Sequence, residues 1–170
     1  MRARYSVKSS ILSQAELFSR RRQSGRGLDI GDHSRPNRLA VLTPKSMLRV
    51  LLVGCGGFLG SACRYLVGGW VQGTFAASFP WGTLAVNSLG SLLLGFFLAL
   101  SLERGWLGME WRLFLTIGFC GGFTTMSTFG YETFSLIREG SYVLAFANVG
   151  ANLLTAVLGA WVGDLAGRVS

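Results

Sequence analysis

The chain has 170 residues, half of them apolar, a mean hydropathy of +0.44 and a net charge of +8. Only 14% of the residues are charged, well short of the quarter or so usual in soluble domains, and this argues against a soluble globular protein. Nor does the positive charge mark a nucleic-acid partner: residues 1–46 hold ten basic against three acidic residues, a net of +7, with no folded element to present them as a reading surface.

In chain order, residues 1–46 read as a basic, disordered extension, and residues 47–170 as the membrane domain. The only apolar patch in the extension, around Ile11, Leu12, Leu17 and Phe18, is too small for a core. No continuous apolar run of secretory-signal length precedes Leu48. An alternative is that translation starts at Met47. His33 reads as an exposed loop side chain. With the extension, orientation is strongly N-in by the rule that basic flanks stay in the cytoplasm. Without it, Arg49, Arg104, Arg112 and Arg168 flank one side, Arg138 and Arg64 the other, and both orientations are open.

Four apolar blocks follow, at 48–71, 81–102, 113–137 and 142–162. Each reaches the roughly 20 residues a helix needs to cross a bilayer, and backbone amides in hydrocarbon must be bonded internally, which favours helices. Cys55, Cys63 and Cys120 fall inside these blocks without a partner at metal-ligand spacing, and read as small buried apolar residues.

The first block carries Gly54, Gly56, Gly57 and Gly60, a small-residue face suited to close helix packing, and then Arg64 near its far end. That guanidinium either reaches the membrane interface or faces a polar cavity and an anion. In the second block Thr83, Asn87 and Ser91 recur every four residues, which aligns them on one helix face. They serve either as interhelical hydrogen-bonding glue or as a track of neutral donors for a dehydrated anion.

The third block contains Gly118-Phe-Cys-Gly-Gly-Phe-Thr-Thr-Met-Ser-Thr-Phe-Gly-Tyr-Glu132, a poor continuous helix. Gly121 and Gly122 disfavour helix, and the hydroxyls of Thr124, Thr125, Ser127 and Thr128 suit an unwound turn. The break is either a plain kink or a site where freed carbonyls face a cation and aromatic edges face an anion. Glu132, one turn beyond Phe129, is either an intramembrane functional carboxylate or an interfacial acid paired with Arg138 or Arg64. In the fourth block Asn148, Asn152 and Thr155 form another polar line, and two facing lines of this kind could wall a pore.

Gly56-Gly-Phe-Leu-Gly60 with Arg64-Tyr65, Gly82-Thr-Leu with Asn87 and Gly90, and Gly121-Gly-Phe-Thr-Thr leading to Ser127-Thr-Phe129 and Glu132 resemble the CrcB or Fluc family of fluoride channels. The likeness covers residues 47–162. It implies an all-α membrane fold of four helices, the third broken near its middle, paired as an antiparallel, dual-topology dimer in the cell's inner (plasma) membrane. It further implies passive fluoride export along two pathways at the subunit interface. By the same resemblance Gly121 and Thr124 supply carbonyls to a structural sodium ion at the dimer centre, and Thr83, Asn87, Thr128, Phe129 and Glu132 line the anion pathway. Two positions depart from the pattern. Met126 stands where the family has the first of two Phe, and Asn152 where a serine of the polar track is more usual.

The partners implied are fluoride, membrane lipid and a second subunit, either an identical copy or an oppositely oriented paralogue. A four-helix multidrug exporter would need an acid in the first helix, and the first block has none. A non-conducting assembly subunit would explain the glycines and polar lines as packing. No enzyme is expected, because no intramembrane histidine, acid pair or activated nucleophile can be assembled.

Overall fold

The computed structural model describes residues 43–75 and 78–169, and among them the regular structure is all helical. The basic segment through residue 42, including His33, lies outside the described residues. Among the described residues four spans are long and apolar enough to cross a membrane. They are α1 (Pro44–Phe75), α2 (Trp81–Leu102), a third span over Met109–Arg138, and α6 (Tyr142–Val169). The third span is composite: α3 (Met109–Arg112), a π-helix (Leu113–Cys120), α4 (Gly121–Phe123) and α5 (Met126–Arg138).

Three of the spans outrun their apolar blocks, because caps and side-chain pairs, not hydropathy, set their ends. Pro44 opens α1 at the first helical position, where a missing N–H costs nothing, and the Thr43 hydroxyl accepts from the Ser46 N–H at 3.2 Å. The long α1 also corrects the placing of Arg64 near a helix end, since it stands about three turns before Phe75. At its other end, α6 runs on to Val169 with Asp164 and Arg168 paired one turn apart at 2.7 Å. The third span closes on Gly140, whose positive φ of 77° lets the Gly140 and Ser141 N–H groups reach back to the Ile137 and Leu136 carbonyls.

Close approach of backbones holds the spans together. On α1, side chains at Gly56 or Gly60 would collide with the Phe114 and Phe119 carbonyls, while Gly118 and Gly122 lie against the backbone of Val53, Gly56 and Gly57. On α6, Gly159, Gly163 and Gly167 repeat every four residues against the backbone of Ser88, Leu92 and Phe96. In lipid, where apolar burial between helices gains little, such contacts and polar bonds carry the association. Connection geometry is equally specific. Gln72 of α1 accepts from the Gly82 N–H at 3.1 Å and donates to the Phe79 carbonyl at 3.2 Å, capping the start of α2.

Only one of the three cysteines is buried: Cys120 is, whereas Cys63 is intermediate and Cys55 exposed. Cys55 lies beside Gly56 on α1, one step round the helix from the packed glycine face.

The glycine seam yields a direct test. Gly163→Val should lower the thermal unfolding midpoint in detergent by several degrees, since forcing a side chain into a packed contact costs about 1–3 kcal/mol. Gly150→Ala, where an added methyl meets nothing within 4 Å, should leave the midpoint in place.

Candidate functional site

Roughly halfway along the third span, Thr124 (φ −83°, ψ 159°) and Thr125 (φ −148°, ψ 109°) carry extended backbone. In an unbroken helix the Thr125 N–H would bond the Gly121 carbonyl; here it donates to Oδ1 of Asn87 on α2 at 2.8 Å. The hydroxyl and N–H of Thr124 both turn back to the Cys120 carbonyl at 3.0 Å. Thr125 is the N-cap of α5: its hydroxyl accepts from the Thr128 N–H at 3.3 Å and donates to the Thr128 hydroxyl at 2.9 Å.

Arg64 lines a polar cavity and pairs with no acid among the described residues. Its guanidinium donates to the Thr124 carbonyl at 3.2 Å, from α1 across to the extended residues. Glu132 likewise takes neither arginine suggested for it. Its Oε1 accepts from the Thr83 hydroxyl at 2.8 Å, and its Oε2 is buried without a hydrogen-bond partner. Among the described residues the ion pairs are those of Arg168 with Asp164 and Glu103, both at the far end of the molecule.

The two asparagine-bearing lines face one another. Asn87 Nδ2 donates to Asn152 Oδ1 at 2.9 Å and, weakly, to the Thr125 carbonyl at 3.4 Å. Asn152 Nδ2 donates to the side-chain and backbone oxygens of Asn148 at 2.9 and 3.0 Å. Asn148, with 0% of its surface exposed, donates to Thr133 Oγ1 at 2.9 Å, and Thr133 donates to the Phe129 carbonyl at 2.8 Å. Ser91 lines the same cavity as Asn87, but its hydroxyl hydrogen is committed to the Asn87 carbonyl at 2.8 Å.

The site residues divide between two cavities. One, of about 510 Å³, is lined by Arg64, Thr83, Thr128 and Glu132, together with the start of α2 and the end of α5. The other, of about 330 Å³, holds Asn87, Gly121, Thr124, Met126, Phe129 and Asn152 and extends toward the π-helix. Thr125 lines both, so the extended residues form the partition between them. Phe129 is buried, whereas Met126 is 75% exposed on the protomer surface.

A metal ion would have to use backbone oxygens, because no group of three His, Cys, Asp or Glu side chains gathers among the described residues. Two such oxygens border the second cavity. The Gly121 carbonyl has lost its ladder donor to Asn87, and the Thr124 carbonyl keeps one lone pair beside its bond from Arg64. Carbonyl oxygens are the donor type that suits a hard cation, and the Arg64 guanidinium on the Thr124 carbonyl opposes one there.

Spacing had picked out Asn87, Asn148 and Asn152 but not the link from Asn148 to Thr133, a lone hydroxyl with no polar neighbour at helical spacing in its own block. The Arg64 contact was equally hidden, because it joins residues 60 positions apart.

Comparison with known proteins places these residues in context. Residues 51–164 match the family model described as CrcB-like protein, Camphor Resistance (CrcB). A protein of Geobacter sulfurreducens named fluoride-specific ion channel FluC is 43% identical over 122 residues, covering 72% of this chain and 98% of its own. The Thermus thermophilus protein of the same name is 52% identical over 115 residues, 65% of this chain and 90% of its own. A third so named, from Pyrococcus abyssi, is 47% identical over 118 residues, 69% of this chain and 94% of its own.

Removing the Thr125 hydroxyl should strip the cap of α5 and loosen the partition. Thr125→Ala is expected to lose about 1 kcal/mol of stability, read as a lower thermal midpoint in detergent, and Thr125→Ser should restore most of it.

Proposed function

The chain belongs to the CrcB family and is a multi-pass membrane protein, and from that premise we propose that it is a fluoride-selective channel that lowers cytoplasmic fluoride by passive export across the plasma membrane. The observation that carries this reading is the Asn87 amide. It sits at the partition between two cavities, bonded to the backbone of Thr125 and with a weakly held N–H toward the second cavity. A fluoride ion is small and strongly hydrated, so its water must be replaced by close, neutral donors that solvate it without trapping it as a fixed cation would. The Thr83 and Thr128 hydroxyls border the first cavity, the Asn87 amide and the Phe129 ring the second. The positive edge of an aromatic ring is a suitable contact for a bare anion. Glu132 marks the first cavity with a carboxylate tied to Thr83.

The working unit in this reading is an antiparallel dimer whose third spans meet at their breaks. Gly121 and Thr124 of each subunit then offer carbonyl oxygens to a shared structural sodium ion. That ion would hold the two breaks together and offset the carbonyl dipoles facing one another. Its direct consequence is that replacing sodium by N-methylglucamine should lower the thermal midpoint of the purified dimer, and restoring sodium should raise it by mass action.

A second reading concerns the partner. Among the described residues, Lys45, Arg49, Arg104, Arg112 and Arg168 lie at the end where α1 begins and α2 and α6 finish, against Arg138 at the other end. Such a bias holds the basic end in the cytoplasm and favours an oppositely oriented relative, not an identical copy, as the second subunit. The exposed Met126, at the place of a family phenylalanine, is the position where such a partner would compensate.

Efflux from liposomes containing the full chain, followed with fluoride and chloride electrodes, tests both readings. Fast fluoride release with chloride near background is expected of a self-sufficient channel, and Met126→Phe should raise it. Folded protein that releases no fluoride alone but does so with an oppositely oriented relative would establish the second reading. Failure in both arms would overturn the channel assignment.

A further inference from the structure

The amides of Asn87, Asn152 and Asn148 form a one-way relay. Its direction follows from one group that has no choice, because the Thr125 backbone N–H is a donor only and must meet an oxygen. It meets Asn87 Oδ1 at 2.8 Å, so the Asn87 NH2 turns to Asn152, whose Oδ1 accepts it at 2.9 Å. The Asn152 NH2 is then committed to Asn148, on the side-chain oxygen at 2.9 Å and the carbonyl at 3.0 Å. The Asn148 NH2 finds Thr133 Oγ1 at 2.9 Å, and the Thr133 hydrogen ends on the Phe129 carbonyl at 2.8 Å. Each link polarises the next, and a fully satisfied chain in a low-dielectric interior holds its members in one orientation.

The division of donors along this relay is uneven. Both Asn152 amide hydrogens go to Asn148. Asn87 has one hydrogen on Asn152 and the other on the Thr125 carbonyl at 3.4 Å, a bond near the outer limit of hydrogen-bond length. Only that second hydrogen is cheaply released toward the cavity.

Resting on the fluoride-channel reading, we propose that Asn148 is a positioning residue: acting through Asn152, it locks the Asn87 amide so that a single N–H is offered to the anion, and Asn152 itself does not meet the ion. Through Thr133 the relay ends on the Phe129 backbone carbonyl, one turn back on the same helix. Selectivity for the smallest halide then depends on how rigidly that one donor is held, because a loosely held amide adapts equally well to a larger ion.

The test compares the full-length wild type with Asn148→Ala, Asn152→Ala and the double variant in liposomes, by fluoride and chloride efflux, with the thermal midpoint measured on each. Asn148→Ala is expected to cut fluoride efflux about tenfold and to lower the fluoride-to-chloride ratio, the loss of one buried polar link being of that order. The double variant should be no worse than either single one, because the two residues act as one unit. Thr133→Val, which removes the far end of the relay with little change in volume, should move the ratio in the same direction and decides the matter if Asn148→Ala does not fold. A folded variant with an unchanged ratio overturns the inference, as does a loss at Asn152→Ala that Asn148→Ala adds to in full. Were the wild type to conduct no fluoride with or without a partner, the channel reading itself would fall and take this inference with it.

Discussion

One hydrogen bond organises the middle of this protein: the backbone N–H of Thr125, withdrawn from its own helix and given to Asn87 on α2. In water a displaced amide is inexpensive because solvent takes it. In hydrocarbon it must find a partner or cost several kcal/mol, in round terms. Asn87 supplies that partner, and the exchange has three consequences. The Gly121 carbonyl is released, α5 restarts under the Thr125 cap, and the Asn87 amide is fixed at the partition between two cavities. Arg64 adds a charged bond from α1 to the neighbouring carbonyl, so three spans converge on two residues of extended backbone.

Such convergence requires the spans to stand close, and glycine makes this possible. The stripes on α1 and α6 bring backbone against backbone on both sides of the third span and α2. The approach lets short side chains such as Ser61, Ser88 and Thr155 reach across, with Ser88 and Thr155 joined at 2.7 Å. Larger residues would separate the helices by more than an asparagine or threonine can bridge, and the polar groups at mid-depth would be left unpaired. Close packing and polar satisfaction are therefore one constraint here.

Most of the architecture was legible in the residues. Four apolar blocks of spanning length led directly to four helices, and the Gly-Gly-Phe-Thr-Thr run pointed to the stretch where Thr124 and Thr125 are extended. Span ends were less legible, since α1 begins on a Thr-Pro cap and α6 runs past its apolar block on an Asp164–Arg168 pair, neither of which registers as hydropathy. Periodicity also placed Asn87 and Asn152 on polar lines but could not say which atoms they meet. Ser91 shares the spacing of Thr83 and Asn87 yet bonds its own helix. Contacts such as Arg64 to Thr124 and Thr83 to Glu132 join residues far apart in sequence, and only the packed helices reveal them.

The channel account makes Asn87 the point where the anion exchanges water for protein. Its most direct test is Asn87→Asp, which keeps the shape and the oxygen that accepts from Thr125 but replaces the donor by negative charge. Fluoride efflux from liposomes should fall to the level of protein-free vesicles while the protein stays folded. Efflux equal to that of the wild type would contradict the account, because no anion passing this amide could ignore a carboxylate in its place.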